Sequence, residues 1–166
     1  MIAAFYVAGA VAVLSTLMVV TRLNALHALL YLIVSLLSLA LIFYVLGAPF
    51  IAALEVIIYA GAIMVLFVFA VMLLNLGPVA VEQEREWLRP GMYAGPAVLS
   101  SILLAELVYV LFAESPPPAG AEVIGPSEVG LSLFGPYLIG VELAAMLLLA
   151  GLVGAFHLGR RSRDGD

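Results

Sequence analysis

Residues 51–76 read IAALEVIIYAGAIMVLFVFAVMLLNL, and Glu55 is the one charged residue in this stretch. A helix needs about 20 mostly apolar residues to cross the hydrocarbon core of a bilayer, and this run is long enough. A carboxylate within hydrocarbon costs a few kcal/mol, so it is a functional candidate by default. The stretch therefore predicts a membrane-spanning helix that carries a polar group in need of an explanation.

Four further apolar runs flank this one, at about residues 2–20, 26–46, 91–112 and 136–158. The chain of 166 residues is 66% hydrophobic and 10% charged, whereas soluble domains are about 45–50% apolar and about 25% charged. No run alternates as a membrane β-strand would. We therefore predict an all-α polytopic membrane protein, a single membrane domain with five transmembrane helices, and we exclude a soluble enzyme and a nucleic-acid binder. The proline- and glycine-containing segment 113–135 is expected to be largely irregular.

The charges predict how the chain crosses the membrane. All six basic residues are arginine, and each follows an odd-numbered span: Arg22, Arg85, Arg89, Arg160, Arg161 and Arg163. The opposite side carries Glu114, Glu122 and Glu128. The positive-inside rule then predicts an N-terminus outside and a cytoplasmic C-terminus. Because Arg22 follows the first apolar run rather than preceding it, we expect that run to be a retained helix and not a signal peptide.

Three carboxylates fall inside the predicted spans, namely Glu55, Glu106 and Glu142. At 1.5 Å per residue they lie about 6–9 Å from the outer ends of their helices. Glu55 and Glu142 are either interfacial groups that reach water or proton-relay groups that face neighbouring helices. Glu106 should face protein or be protonated. The sequence contains no cysteine, and motifs for phosphate binding, nucleophilic catalysis or metal ligation are absent. We therefore predict no catalytic, cofactor-binding or metal-binding residue.

The third span is unusual in its middle. Tyr59 follows Glu55 by four residues, which in an α-helix places the two side chains on one face. The next residues, Ala60-Gly61-Ala62, form a patch with little side-chain volume. Such a patch allows a second helix to pack closely, and spacing alone favours that interpretation. The alternative is that glycine weakens the helix locally and permits a π-bulge, a feature often found at functional sites.

Residues 53–69, ALEVIIYAGAIMVLFVF, closely resemble the third helix of the J-subunit family of bacterial NADH–quinone oxidoreductase, respiratory complex I. The family is the counterpart of mitochondrial NADH dehydrogenase subunit 6. The resemblance continues through NALHALLYLIVSLLS at 24–38 and LFGPY at 133–137. It implies a multi-pass subunit of the bacterial cytoplasmic (inner) membrane. Its expected partners are lipid and the K, H, A and N-type membrane-arm subunits. NADH, FMN, iron–sulfur clusters and quinone are implied for the assembled complex and none for this chain.

The resemblance also implies a π-bulge near Tyr59–Gly61, which reverses the preference for close packing. In the family, rotation of this segment opens or interrupts a hydrated path that couples quinone reduction to proton pumping. The matching gate residues are Tyr59, Ala60, Gly61, Val65 and Phe67.

The family resemblance covers two of the three intramembrane carboxylates. Glu55 and Glu142 match family acids, whereas Glu106 departs from the family pattern. We therefore predict a non-redox subunit of proton-translocating NADH:quinone oxidoreductase, not catalytic in isolation. The alternatives are a passive scaffold of the same membrane arm and a stand-alone small proton transporter.

Overall fold

A computed structural model describes residues 2–74, 90–112 and 123–159. Some residues used to predict the orientation lie outside these ranges: Arg85, Arg89, Glu114, Glu122, Arg160, Arg161 and Arg163. The predicted orientation of the termini rests largely on those residues and stays a prediction.

The regular elements of the described residues are all helical. In chain order they are α1 (Ile2–Thr21), α2 (Ala25–Val45), α3 (Pro49–Leu54), the π-helix π1 (Glu55–Ile63), α4 (Met64–Leu74), α5 (Pro90–Phe112), α6 (Pro126–Leu133) and α7 (Leu138–Gly159). Elements α3, π1 and α4 follow one another without a break and form one span, Pro49–Leu73. Together with α1, α2, α5 and α7, this gives five helices long and apolar enough to cross a membrane in the described part of the chain. The prediction of an all-α protein with five transmembrane helices is confirmed.

Local sequence explains where these helices begin. The Asn24 side chain accepts a hydrogen bond from the His27 backbone N–H at 3.1 Å and so caps α2. Gly47 has a φ of 86°, a left-handed conformation that glycine adopts without steric penalty. Pro49 then opens α3, because its fixed φ suits the first helical position, where no N–H is needed. The third span thus begins at Pro49, two residues before its predicted start.

The short helix α6 lies within the segment 113–135, which was expected to be largely irregular, and for these residues the expectation is wrong. Pro126 stands in the first turn, and the Gly125 N–H donates to Glu128 Oε2 at 2.9 Å. Proline at the start with glutamate two residues later is a helix-initiation signal. The sequence therefore contained the evidence for this helix.

Contacts divide the chain into two compact units, residues 1–124 and 125–166. The first contains α1 to α5, and its apolar core joins α1, α2 and α5 through Ala8, Val11, Val34, Leu41 and Leu103. The second contains α6 and α7, and α7 has no buried residue. The expected single membrane domain stays a prediction.

The α1–α2 contact also includes polar groups. The Thr16 and Ser35 hydroxyls lie 2.9 Å apart, and Ser35 Oγ donates to the Ala12 carbonyl at 3.3 Å. Small hydroxyl residues of this kind allow membrane helices to approach closely and to hydrogen-bond to each other.

Candidate functional site in the third membrane span

The backbone of the third span changes its hydrogen-bonding pattern at Glu55. The Glu55 N–H still bonds to the Ile51 carbonyl, four residues back, and also to that of Ala52. At the other end of π1, the Met64 N–H bonds to the Tyr59 carbonyl, five residues back, and to that of Gly61. The nine residues EVIIYAGAI between these points form a π-helix. Tyr59, Ala60 and Gly61 lie in this π-helix, whose turns are wider than those of an α-helix.

Gly61 is suited to the wide turn for a steric reason. A Cβ atom at this position would lie 3.1 Å from the Val56 carbonyl oxygen, closer than an ordinary van der Waals contact. Val56 stands five residues before Gly61, at the spacing that a π turn bonds across. A side chain at Gly61 would therefore crowd the carbonyl of its own turn, and the turn would have to shift to accept it.

The described helices of the first unit leave the small-residue patch partly open. Ala60 and Gly61 are partly exposed and Ala62 is exposed. The patch therefore stays accessible to a further helix that packs closely on it.

Glu55 and Tyr59 differ in their surroundings. Glu55 is buried, with 9% of its surface exposed, whereas Tyr59 is 50% exposed. The expectation that they share a face assumed an α-helical turn, and the wider π turn places Tyr59 at a different angle from Glu55. The interfacial alternative for Glu55 requires a carboxylate open to its surroundings, and this burial disfavours it.

Val65 and Phe67 lie in the first turns of α4, directly after π1, and are 52% and 50% exposed. Their angular position depends on how many residues the preceding turns contain, because each residue of an α-helix advances the chain by about 100°. A change in π1 would therefore turn both side chains about the helix axis.

The two other intramembrane carboxylates stand on helices other than the third span. Glu106, in α5, is 9% exposed and faces the backbone of Ala8 in α1. Neither of its oxygens makes a hydrogen bond of acceptable distance and angle to a described residue. Glu142 is exposed and lies in α7, in the second unit. The structure therefore does not gather the three carboxylates into one cluster within either unit.

The two histidines stand near helix ends. His27 is in the first turn of α2, 8% exposed, with its ring centroid 5.0 Å from that of Tyr31. His157 is in the last turn of α7, where a positive charge is favourable to the helix dipole. Among the described residues there is no group of three His, Asp or Glu side chains able to hold a metal ion.

Sequence reasoning did not identify a close contact between α2 and α5. The Tyr31 hydroxyl lies against Gly95, so that a Cβ atom at Gly95 would collide with it. Tyr31 is 4% exposed, and the Arg22 guanidinium lies 5.6 Å from the centre of its ring. The one signal in the sequence was a glycine within an apolar helix, which often marks a close approach.

Comparison with known proteins assigns this architecture to a family. Residues 15–158 match the family described as NADH-ubiquinone/plastoquinone oxidoreductase chain 6. NADH-quinone oxidoreductase subunit J of Pseudomonas aeruginosa is 61% identical over 95% of this chain and 96% of its own length. Subunit J of Escherichia coli K12 is 55% identical over 98% and 89% of the two chains, and that of Buchnera aphidicola subsp. Schizaphis graminum is 48% identical over 96% and 98%. The chain therefore belongs to the NADH-ubiquinone/plastoquinone oxidoreductase chain 6 family and is similar over nearly its whole length to the J subunits of NADH-quinone oxidoreductase.

Proposed function

We propose that this chain couples quinone reduction to proton pumping in the assembled oxidoreductase, with its third span as a conformational gate. The observation that carries the proposal is π1, a π-helical segment of nine residues inside a membrane span. Short π segments within helices often occur at functional sites. The chain itself carries no redox centre in this proposal, so its contribution is conformational.

The gate would work by rotation. If π1 gives up one residue to regular α-helix, the part beyond it turns by about 100°. Val65 and Phe67, both half-exposed, would then move into or away from a narrow cavity shared with neighbouring subunits. An apolar side chain in such a cavity excludes water and interrupts proton transfer, whereas its removal lets water molecules connect carboxylates.

Two features support a switch with two accessible states. Gly61 relieves crowding in the wide turn, and Tyr59, Val65 and Phe67 are not fixed by burial in their own chain. Conformational switches of this type need packings that differ by only a few kcal/mol. Glu55 is buried at the start of π1, so the change in this segment would alter the surroundings of its carboxylate.

We further propose the bacterial inner membrane as the location, with the N-terminus outside. The partners would be the K, H, A and N-type subunits of the membrane arm. The chemistry of NADH, FMN, iron–sulfur clusters and quinone would take place in other subunits of the complex.

A passive scaffold is the second candidate, and α7 favours it, since a helix without a buried residue can contact further helices. A stand-alone transporter is disfavoured because Glu55, Glu106 and Glu142 all fall in the predicted outer halves of their spans, and no carboxylate of the described residues continues a relay through the inner halves. Tyr59→Phe separates gate from scaffold. If the chain is a passive scaffold, the Tyr59→Phe variant would leave the turnover of a fully assembled complex unchanged.

The direct test is Gly61→Leu in the assembled complex, with Gly9→Leu as the control. Gly9 lies in α1, and no atom lies within 4 Å of a Cβ added there. We expect Gly61→Leu to slow NADH-driven quinone reduction and to reduce proton uptake per NADH, while the control retains both. Normal rates and normal pumping in a complete Gly61→Leu complex would contradict the gate.

A further inference from the structure

Glu106 is buried where α5 packs against α1. Its side chain is 9% exposed and faces the backbone of Ala8. Ala4 and Ala8, which are 4% and 0% exposed, lie four residues apart and therefore on one face of α1. Their small side chains let the carboxyl group come close to the α1 backbone. The surroundings of this carboxyl group are thus set by backbone groups of α1.

The α1 backbone beside Glu106 offers an acceptor of hydrogen bonds and no free donor. Ala8 lies inside α1, so its N–H already bonds to the carbonyl of Ala4, four residues back. That carbonyl oxygen has a second lone pair, which can accept a further hydrogen bond. An ionised carboxylate only accepts hydrogen bonds, whereas a protonated carboxyl group also donates one. The backbone therefore suits the acid form of Glu106 and gives nothing to the carboxylate.

The side chains around this interface do not supply the missing donor. Neither carboxyl oxygen of Glu106 has a hydrogen-bond partner among the described residues. The helices that pack against α5 are α1 and α2, and α1 contains no Asp, Glu, Lys, Arg or His. The ionisable side chains of α1, α2, π1 and α5 that leave Glu106 without a hydrogen bond are Tyr6, His27, Tyr31, Tyr44, Glu55, Tyr59, Tyr93 and Tyr109.

The basic groups of the first unit that the structure describes lie far along the helices from Glu106. Arg22 and His27 both stand beside the ring of Tyr31, and the Tyr31 hydroxyl lies against Gly95. Gly95 precedes Glu106 in α5 by about 16 Å at 1.5 Å per residue. A negative charge at Glu106 would therefore have no described positive charge beside it, and a buried charge of this kind is costly.

We propose that Glu106 is a proton-binding site of the α1–α5 interface, a neutral carboxylic acid whose hydroxyl donates to the carbonyl of Ala4. The bond is weak, because this carbonyl is shared with the Ala8 N–H, so the polar group is kept at a cost in stability. Glu106 stands about 9 Å from the end of α5 at Phe112. When the interface opens at that end, the carboxyl O–H bond breaks and its proton passes to water.

Proton binding makes the packing of α1 on α5 depend on pH. The packed form holds one proton that the opened, hydrated form releases. Opening therefore becomes about tenfold more favourable for each rise of one pH unit, over the range in which only the opened form is ionised. The interface is thus stable at low pH and loses stability as the pH rises. This inference does not rest on the proposed gate, because π1 takes no part in it.

The test is backbone hydrogen exchange, measured by mass spectrometry on the assembled complex in lipid nanodiscs. The pH is raised from neutral to about pH 9, a range in which buried carboxyl groups ionise. We expect the exchange of α1 amides around Ala8 to increase about tenfold more per pH unit in the wild type than in Glu106→Gln, which cannot ionise. Comparison of the two at each pH removes the base-catalysed increase that all amides share.

Two further variants make the outcome decisive. Glu106→Met, which also cannot ionise, should match Glu106→Gln and guards against a defect of one variant. Glu142→Gln changes an exposed carboxylate of α7 in the second unit and should keep the dependence of the wild type. Equal exchange in the wild type and Glu106→Gln at every pH would overturn the proposal. So would faster exchange in Glu106→Gln than in the wild type at high pH, because Glu106 would then be ionised in the packed form.

Discussion

Gly61→Ala offers the finest test of the π-helix, because it adds one methyl group at the point of crowding. Alanine is more favourable than glycine in an α-helix by about 0.8–1.0 kcal/mol. In the π form, the same methyl group would lie 3.1 Å from the Val56 carbonyl oxygen and would be destabilising. The advantage of alanine is measured against the unfolded chain and largely cancels between two helical forms, so the steric contact decides. If it costs about 1–2 kcal/mol, it changes the ratio of the two forms by about 5–30-fold in favour of the α form.

The consequence is measured in the assembled complex in membrane vesicles. We expect Gly61→Ala to decrease both NADH-driven quinone reduction and the associated proton uptake, and to lower the fraction of particles with a π-helical third span in electron cryomicroscopy maps. Gly9→Ala is the matched control, because Gly9 lies in α1 with no atom within 4 Å of an added Cβ. Unchanged turnover together with an unchanged π-helix in Gly61→Ala would refute the steric reasoning. A third span found α-helical throughout, yet with normal activity, would refute the gate.

Three further predictions concern the rest of the first unit. Gly95→Ala should lower the melting temperature of the complex, since its Cβ collides with the Tyr31 hydroxyl and overpacking costs about 1–3 kcal/mol. Adding Tyr31→Phe should restore part of the loss. Equal melting temperatures of the single and double variants would contradict this contact. Glu106→Met should raise the melting temperature, because its buried carboxylate makes no well-formed hydrogen bond to a described residue and such a group costs about 1–3 kcal/mol. Quinone reduction should be retained; a slower rate would instead assign Glu106 to proton transfer. Asn24→Ala removes the cap that the His27 N–H binds and should destabilise α2 by about 1 kcal/mol, seen as faster amide hydrogen exchange in its first turn, with Asn24→Asp as the variant that preserves it.

The five spans were predictable because hydrocarbon imposes length and composition so strongly that apolar runs alone locate the helices. Their ends were less predictable, as at Pro49, since caps and turns depend on single residues. The π-helix was not predictable from spacing, because Ala60-Gly61-Ala62 suits both close packing and a weakened helix, and only the resemblance to a family favoured the latter. The contact between Tyr31 and Gly95 could not be assigned from the sequence, since it depends on how α2 and α5 pack against each other.

The absence of buried side chains in α7 has an evolutionary consequence. Within the second unit, a helix with no buried residue places few packing constraints on its own side chains. Aliphatic residues could therefore replace one another along α7 without a cavity or a clash inside that unit. Natural selection would then act on its hydrophobicity and its length, the two properties that a membrane-crossing helix needs.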